Sequence, residues 1–431
     1  MDLRQVAVDQ YESRESLIRR GVWKGDLYKT VDVNKGSRGW LWKTLVLDDD
    51  QEVKELMPVP ILTEGSEDPT SAIVQSANRP RDNLIRRLTP VATKAHPLSQ
   101  KQIGDMRDKG ELEGQKVVEG DEDDEDGMSV SEKLEIIDLD LSRLMLDKIF
   151  QEPLVHARMK QIMYNFLMRK GASSPSSYKQ GYHEILGIIF LQLDEARRNN
   201  EGGNNDNSNN NNDDDDGDAV MMNQVLCIFE KIMKQMVGVF YNETRLIKWD
   251  SDVFQPILNN SCPELYKLIY SNQHHHTNII WLIRWTRLLF IRELPRDYTL
   301  IIWDHILTFT YPLDTLIACI IVTLLVNNYQ NLMEKIEDHN DIVEFMLHYS
   351  LNSSSMIDCV ELCKMSGNLC ELWYLQDFTA MKLVADSFLK IRFNVENKTT
   401  PKAVKIDPNR KRLEDRLRKR VKQTLLTKET K

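Results

Sequence analysis

The sequence has few cysteines and lacks the motifs of several enzyme classes. Its six cysteines in 431 residues include no CxxC pair, which favours reduced thiols, with a zinc site as the weaker alternative. Because adjacent side chains do not face one site, we expect the three histidines at 274–276 to form a polar loop rather than a metal centre. No GxxxxGK[ST] loop or GxSxG stretch occurs, which argues against a P-loop NTPase and a serine hydrolase.

Long apolar runs are also missing. The longest uncharged apolar stretch, at 315–326, is shorter than the about 20 residues that cross a bilayer, so we expect a core helix. The first residues lack the apolar block of a signal peptide, and we expect a cytoplasmic protein. The formal net charge of −10 argues against general affinity for nucleic acid.

Helical periodicity, in contrast, covers most of the chain. Residues 134–150 carry an apolar stripe at helical spacing, and residues 182–193 are apolar almost all round. The first pattern predicts one amphipathic helix and the second a buried helix. Because alternating strand patterns are nearly absent, the sequence predicts an all-α protein.

Three segments are too polar to bury a core. Residues 62–130 include the acidic run EGDEDDED, and residues 199–218 are rich in Asn and Asp. Such composition predicts disordered insertions. The tail at 402–431 is basic and is either a helix on an acidic membrane surface or a solvated terminal helix.

Two short stretches are candidates for chemistry. Arg143 follows Asp140 by three residues, on the polar side of the predicted 134–150 helix. By spacing alone, Arg143 pairs with Asp140 and Asp147 on the surface. Tyr178 and Gln180 precede the predicted buried helix, and in an extended segment residues i and i+2 project to the same side. By itself, this second stretch is also explained as a helix start with incidental polar residues.

In combination these residues resemble the TBC family of Rab GTPase-activating proteins. The family's finger motifs, IxxDxxR and YxQ, match Ile137-x-x-Asp140-x-x-Arg143 and Tyr178-x-Gln180 in the right order. Leu144 and Met145 stand where many members have Thr-x-Pro, and Tyr182 stands where Met is usual. Further downstream, the sequence is similar to the family's arginine-rich helix, Arg-Glu-Leu-Pro turn and Trp-Asp helix at Trp285, Phe290, Arg292, Glu293, Leu294, Pro295, Trp303 and Asp304.

Upstream, the family's RxxxW pattern matches twice. Arg38-x-x-x-Trp42 and Arg19-x-x-x-Trp23 are competing matches. The resemblance implies that Arg38 and Trp42 support the fingers. It also implies a helical TBC domain of two lobes at 15–390, interrupted by insertions at about 62–130 and 199–218. Residues 391–431 form a basic tail.

The resemblance also implies a mechanism, a partner and a location. Arg143 would stabilise phosphate charge in trans with Asp140 orienting it, Gln180 would orient the water, and Tyr178 would hold the loop against the GTPase. The chain would need no cofactor of its own, because a GTP-bound Rab carries GTP and Mg²⁺. The wording around Tyr178 is similar to the fungal branch acting on the Rab-six class, which implies vesicle traffic at Golgi or endosomal membranes.

Two alternatives remain open from the sequence. A catalytically inactive TBC module would bind a Rab without accelerating hydrolysis. A helical adaptor would have no nucleotide-dependent partner.

Overall fold

The computed structural model describes residues 10–30, 38–47, 56–59, 130–169, 178–201, 213–271, 275–336, 338–351 and 356–393. Within these ranges the regular elements are helical and no strand occurs, which confirms the all-α prediction. The chain divides into two compact units, residues 1–385 and 386–431. The predicted TBC domain at 15–390 lies in the first unit except for its last five residues.

Most of the helices are long enough to carry an apolar face. The first α-helices are α1 (Arg14–Ser16), α2 (Asp26–Thr30), α3 (Gly39–Val46), α4 (Val130–Ser142), α5 (Pro153–Met168), α6 (Tyr182–Glu201), α7 (Asp213–Phe240) and α8 (Glu243–Trp249). They are followed by α9 (Gln255–Ser261), α10 (Pro263–Tyr270), α11 (Ile279–Arg287), α12 (Arg296–Ile306), α13 (Leu313–Asn327), α14 (Tyr329–Lys335), α15 (His339–Leu347), α16 (Met356–Tyr374) and α17 (Phe378–Phe393). Short π-helical turns span Leu17–Trp23 and Asp250–Phe254, and 3₁₀ turns span Lys148–Gln151 and His275–Asn278.

Two helices buried almost all round form the centre of the first unit. Helix α13 contains the apolar stretch 315–326 and is buried along nearly its whole length, as a core helix should be. Helix α6 is buried from its first residue through Asp194 and packs against α3, α4, α5 and α7. The predicted buried helix is therefore confirmed, and it provides a rigid base for residues 178–181 directly before it.

No single helix in the described ranges is long and apolar enough to cross a bilayer. Helices α13 and α14 together meet the length and composition criteria, but they are bent by 65° at their junction.

The prediction of one helix over 134–150 is wrong in its second half. Helix α4 ends at Ser142, and Arg143 lies in the turn that follows it. Asp147 then accepts a hydrogen bond from the Ile149 amide at 3.2 Å and begins the 3₁₀ turn. The apolar residues after Ser142 continue the helical spacing in sequence, but they pack on α6 from a loop.

The predicted insertion at 199–218 is narrower than its composition indicates. Helix α6 continues to Glu201, and α7 already begins at Asp213. Asp218 forms ion pairs with Arg158 of α5 and Arg197 of α6, and these arginines hold the acidic start of α7 against the domain. Residues 202–212, residues 62–129 and the tail at 402–431 lie outside the described residues.

Candidate functional site

Arg143 extends into solvent from the turn that ends α4. Its backbone amide donates to the Asp140 carbonyl oxygen at 3.2 Å, and its side chain is exposed. No hydrogen bond or ion pair ties the guanidinium to another residue in the described ranges. The surface pairing with Asp140 and Asp147 that spacing alone suggests is therefore absent from this part of the chain.

Gln180 occupies the corner of a tight turn directly before α6. The Tyr182 amide donates to the Lys179 carbonyl oxygen at 3.3 Å, and Gly181 between them has a φ of +105°. A turn with positive φ at its third residue favours glycine there, because a side chain would be strained. A Cβ on Gly181 would also stand 3.0 Å from Leu288 Cδ2. The turn leaves the Gln180 side chain exposed.

A hydrogen bond connects the two candidate segments. The Tyr178 hydroxyl donates to Asp140 Oδ2 at 2.8 Å. Arg143 is three residues from this bond and Gln180 two. Because a chain spans at most about 3.5 Å per residue, the Arg143 Cα lies within about 11 Å of the Asp140 Cα, and the Gln180 Cα within about 7 Å of the Tyr178 Cα. Tyr178 faces inward and Gln180 outward, so the expectation that both side chains project to one side is wrong.

His183 completes this connection. Its Nδ1 lies 2.9 Å from the Tyr178 hydroxyl oxygen and 3.4 Å from Asp140 Oδ2. Tyr178 has one hydroxyl proton, and it goes to Asp140, so we assign the proton on Nδ1 as a donor to the tyrosine oxygen. The Tyr178 hydroxyl, Asp140 Oδ2 and His183 Nδ1 then each have a partner, as buried polar groups require.

The protonation states suit this arrangement. Burial and the neighbouring Asp140 carboxylate raise the pKa of Tyr178 well above its ordinary value, so the phenol stays a donor. Burial lowers the pKa of His183, against the opposing effect of Asp140. The ring is therefore neutral at neutral pH.

These contacts revise the roles expected for Asp140 and Tyr178. The Asp140 carboxylate binds Tyr178 rather than the Arg143 side chain, and only the backbone links it directly to Arg143. The Tyr178 hydroxyl is directed into the protein, not outward to a partner. The pair therefore fixes the two segments relative to each other.

A strained turn supports the first residues of α6 from the other side. Leu289 and Phe290 have φ values of 45° and 68°, a region that bulky side chains rarely adopt. Both are fully buried. From the same turn, Arg292 forks onto Glu184 of α6, with Nε to Oε2 at 3.0 Å and Nη2 to Oε1 at 2.5 Å. This two-pronged pair restrains both backbone and side-chain geometry next to Gln180.

Arg38 and Trp42 meet at a buried carboxylate. Asp304 accepts from Arg38 Nε at 3.0 Å, Trp42 Nε1 at 2.7 Å and the Tyr28 hydroxyl at 2.9 Å. Arg38 is 1% and Asp304 0% exposed, so the charges compensate each other away from water. The Arg38 amide also donates to Gln192 Oε1 on α6.

This cluster supports the helical scaffold rather than contacting the fingers. Gln192 is ten residues beyond Tyr182 on α6, which is about 15 Å at 1.5 Å per residue. The competing pair is arranged differently: Arg19 is exposed beside Glu15, and Trp23 donates to Thr308. Only Arg38 and Trp42 share one acceptor, so the structure favours them as the RxxxW match.

Sequence reasoning missed His183 and the Glu184–Arg292 pair. His183 follows the YxQ motif by three residues, and that proximity was the available signal. The role of Asp304 as acceptor of three hydrogen bonds was also missed, because the match to the Trp-Asp helix does not indicate the partners of the carboxylate.

Metal ligands do not come together in the described part of the chain. No group of three or more His, Cys, Asp or Glu residues there has a geometry that could hold a metal ion. The six cysteines are free thiols.

Comparisons with known proteins indicate the family and the fold of the chain. A family model described as the Rab-GTPase-TBC domain matches residues 99–333, more than half of the 431-residue chain. Arg143 and Gln180 lie inside the match, and Arg38 and Trp42 precede it. No curated protein matches the chain.

One solved structure, the crystal structure of the Ypt/Rab-GAP domain of Gyp1p, has a similar fold. The TM-score is 0.52 at 15% identity, over 86% of this chain and 98% of that chain. At this identity the likeness concerns the fold alone. Membership of the matched family supports activity toward a Rab GTPase partner. Because the family model covers more than half of the residues, the chain belongs to the Rab-GTPase-TBC domain family.

Proposed function

We propose that this chain accelerates GTP hydrolysis on a Rab-family GTPase by supplying Arg143 and Gln180 in trans. The observation that carries the proposal is a property that the Arg143 and Gln180 side chains share. Both side chains are exposed and have no hydrogen-bond partner among the described residues, while the residues around them are hydrogen-bonded or buried. Rigid support beneath free functional groups is what a site acting on another molecule requires.

Arg143 has the chemistry of a finger residue. A guanidinium keeps its charge at any physiological pH and forks onto two phosphate oxygens, which an ammonium cannot do. An arginine supplied in trans to a GTPase accelerates hydrolysis by about 10³ to 10⁵. Within the described ranges no carboxylate pairs with Arg143, so the guanidinium breaks no ion pair there when it binds a phosphate.

Gln180 would orient the attacking water. Its amide provides one acceptor and two donors, and a glutamine performs this task within many GTPases. The Gly181 turn and the buried start of α6 hold the Gln180 backbone still. A fixed carboxamide loses less entropy when it aligns a water.

The remaining features of the proposal concern the cellular setting. GTP and Mg²⁺ would belong to the partner, and the chain would bring no cofactor. We propose a cytoplasmic protein recruited peripherally to Golgi or endosomal membranes through the basic tail, with a Rab-six class GTPase as substrate in vesicle traffic. The support for these points is the sequence resemblance and the tail's positive charge.

A single-turnover GTPase assay over a Rab panel tests the proposal. Arg143→Ala and Gln180→Ala should each remove at least about 100-fold of the acceleration, because each deletes a group acting on the transition state. Arg143→Lys should retain little activity, because it lacks the fork. Arg19→Ala and Gln235→Ala are matched controls, since both side chains are exposed on other helices, and they should behave as wild type.

The same assay separates the alternatives. Binding of GTP-loaded Rab without acceleration by the wild type would favour the inactive module. The absence of any nucleotide-dependent binding would favour the adaptor. Wild-type rates in both finger variants would refute the proposed mechanism.

A further inference from the structure

Residues 143–146, which we call the finger loop, alternate between exposed and inward-facing side chains. Arg143 and Met145 are exposed, whereas Leu144 is buried and Leu146 is partly buried. The alternation means that the residue two after Arg143 is presented to solvent with it. Whatever approaches Arg143 also approaches Met145.

The inward-facing leucines fix the loop on α6. Leu144 Cδ2 and Leu146 Cδ1 would each stand 3.0 Å from a Cβ placed on Gly187. The absence of a side chain at Gly187 thus creates a notch that admits both leucines. Gln151 also donates to the Leu144 carbonyl oxygen at 3.3 Å. The loop is therefore anchored on both sides of Met145.

Met145 is left unusually open for a large apolar residue. Its side chain is 82% exposed, and Gln151 Nε2 approaches its sulfur at 3.9 Å. An isolated exposed apolar residue needs no explanation. An exposed apolar residue that is held directly beside a functional arginine does need an explanation, because the anchoring residues keep it at the surface that a partner must cover.

We propose that Met145 contacts the GTPase that receives Arg143 and sets the affinity for it. This inference rests on the proposed function. A typical interface buries about 800 Å² per partner, a patch of roughly 16 Å radius. Met145 lies at most about 7 Å along the chain from Arg143, which places it well within such a patch. The surface that covers Met145 is an apolar part of the GTPase beside the nucleotide pocket.

The chemistry of methionine fits this role. The side chain is unbranched and polarizable, so it adapts to the surface that covers it. Burying it would stabilise the ground-state complex and the transition state equally. Such uniform binding lowers KM and leaves kcat unchanged. The role therefore differs measurably from that of Arg143, whose loss reduces kcat.

The test is the dependence of single-turnover hydrolysis on the concentration of the chain, using a GTP-loaded Rab that the wild type accelerates. Met145→Gln should raise the half-saturating concentration about tenfold, equivalent to about 1.4 kcal/mol, with the saturating rate unchanged. Met145→Leu should stay within about threefold of wild type, because it keeps the apolar volume. Met333→Gln is the matched control, since Met333 is 44% exposed on α14, and it should match wild type.

The outcomes separate this inference from the function on which it rests. If the wild type accelerates hydrolysis and Met145→Gln matches Met333→Gln, the Met145 inference is overturned and the proposed function stands. A lower saturating rate at unchanged half-saturation would also overturn it. If the wild type accelerates no Rab of the panel, both are overturned. Thermal melting of Met145→Gln checks that its fold is intact, as its exposure leads us to expect.

Discussion

Replacing Tyr178 with Phe removes a single oxygen and should affect both stability and activity. The hydroxyl donates to Asp140 at 2.8 Å and accepts from His183 at 2.9 Å. Without it, a buried carboxylate and a buried imidazole each lose a partner. The ring itself remains, with its edge-on contact to Tyr182 at 5.7 Å between centroids.

The expected loss of stability follows from the charge of the acceptor. A hydrogen bond to a charged group contributes about 1.5–3 kcal/mol, and the Asp140 side chain is only 11% exposed. We therefore expect the free energy of unfolding to fall by about 2 kcal/mol. The activity should fall by about 10- to 100-fold, because a displacement of about 1 Å at a catalytic group costs up to about 10² in rate.

Denaturant unfolding and single-turnover GTP hydrolysis measure the two effects. Tyr270→Phe is the matched control, because the Tyr270 hydroxyl also donates to a shielded carboxylate, Asp250, at 2.5 Å. Tyr270 and Asp250 both belong to the segment 250–270, which contains neither finger turn. Tyr270→Phe should lose comparable stability and keep the wild-type rate per folded molecule.

One result would refute the reasoning about coupling. If Tyr178→Phe loses about 2 kcal/mol yet hydrolyses GTP at the wild-type rate, the bond stabilises the fold without positioning the fingers. If it loses neither, the bond is not formed in solution.

Three further predictions follow from other contacts. Gly187→Ala should slow GTP hydrolysis and lower the unfolding free energy by at most about 2 kcal/mol, because overpacking of about 1–3 kcal/mol is partly offset by a helix-propensity gain of about 1 kcal/mol. Asp304→Ala should lower the unfolding free energy by about 3–5 kcal/mol in denaturant titration, because it leaves the buried Arg38 charge unpaired. Burial lowers the pKa of His183 in the folded state. Below the ordinary histidine pKa of about 6.5, the unfolded chain therefore binds more protons than the folded chain, and stability falls as the pH drops. His183→Asn keeps a donor for Tyr178 and should flatten this loss in pH-dependent melting.

Each of these predictions has a control or a contradicting result. Gly217→Ala lies in α7 with nothing near its Cβ position, so it should stabilise slightly and leave the rate unchanged. An Asp304→Ala variant as stable as wild type would contradict the paired-charge account. The buried His305, whose pKa burial also lowers, contributes a slope of the same sign in both proteins. An unchanged difference between pH 7 and 5 in His183→Asn would therefore exclude His183 as a source.

Local periodicity predicted the helices but not where α4 ends. Leu144 and Leu146 continue an apolar pattern that would suit a helix to Phe150. Their actual partner is the notch at Gly187, more than 40 positions away along the chain. A window of neighbouring residues contains no information about such a contact.

The motif residues could be located from the sequence, but their connections could not. Asp140 and Tyr178 are 38 positions apart, and segments containing long insertions separate Arg38 from Asp304. Spacing rules for one helix concern i,i+3 and i,i+4 pairs. They favoured an Asp140–Arg143 pair over the tertiary bond to Tyr178, which satisfies the carboxylate where it is buried.

At the insertion 199–218, the flanking helices extend further than the composition predicts. Its composition predicts disorder, and composition ignores the ion pairs that Asp218 makes with arginines of α5 and α6. Charged residues that have tertiary partners can extend a helix into a low-complexity run.

The most direct test of the account is binding of the chain to a Rab loaded with GDP and aluminium fluoride, a mimic of the transferring phosphoryl group. Calorimetry should show wild-type binding at least about 100-fold tighter with the fluoride than with GDP alone, because groups complementary to the transition state bind its mimic preferentially. Arg143→Ala and Gln180→Ala should each lose most of that fluoride-dependent gain. Retention of the full gain by both variants would contradict the claim that these two side chains act on the phosphate of a partner.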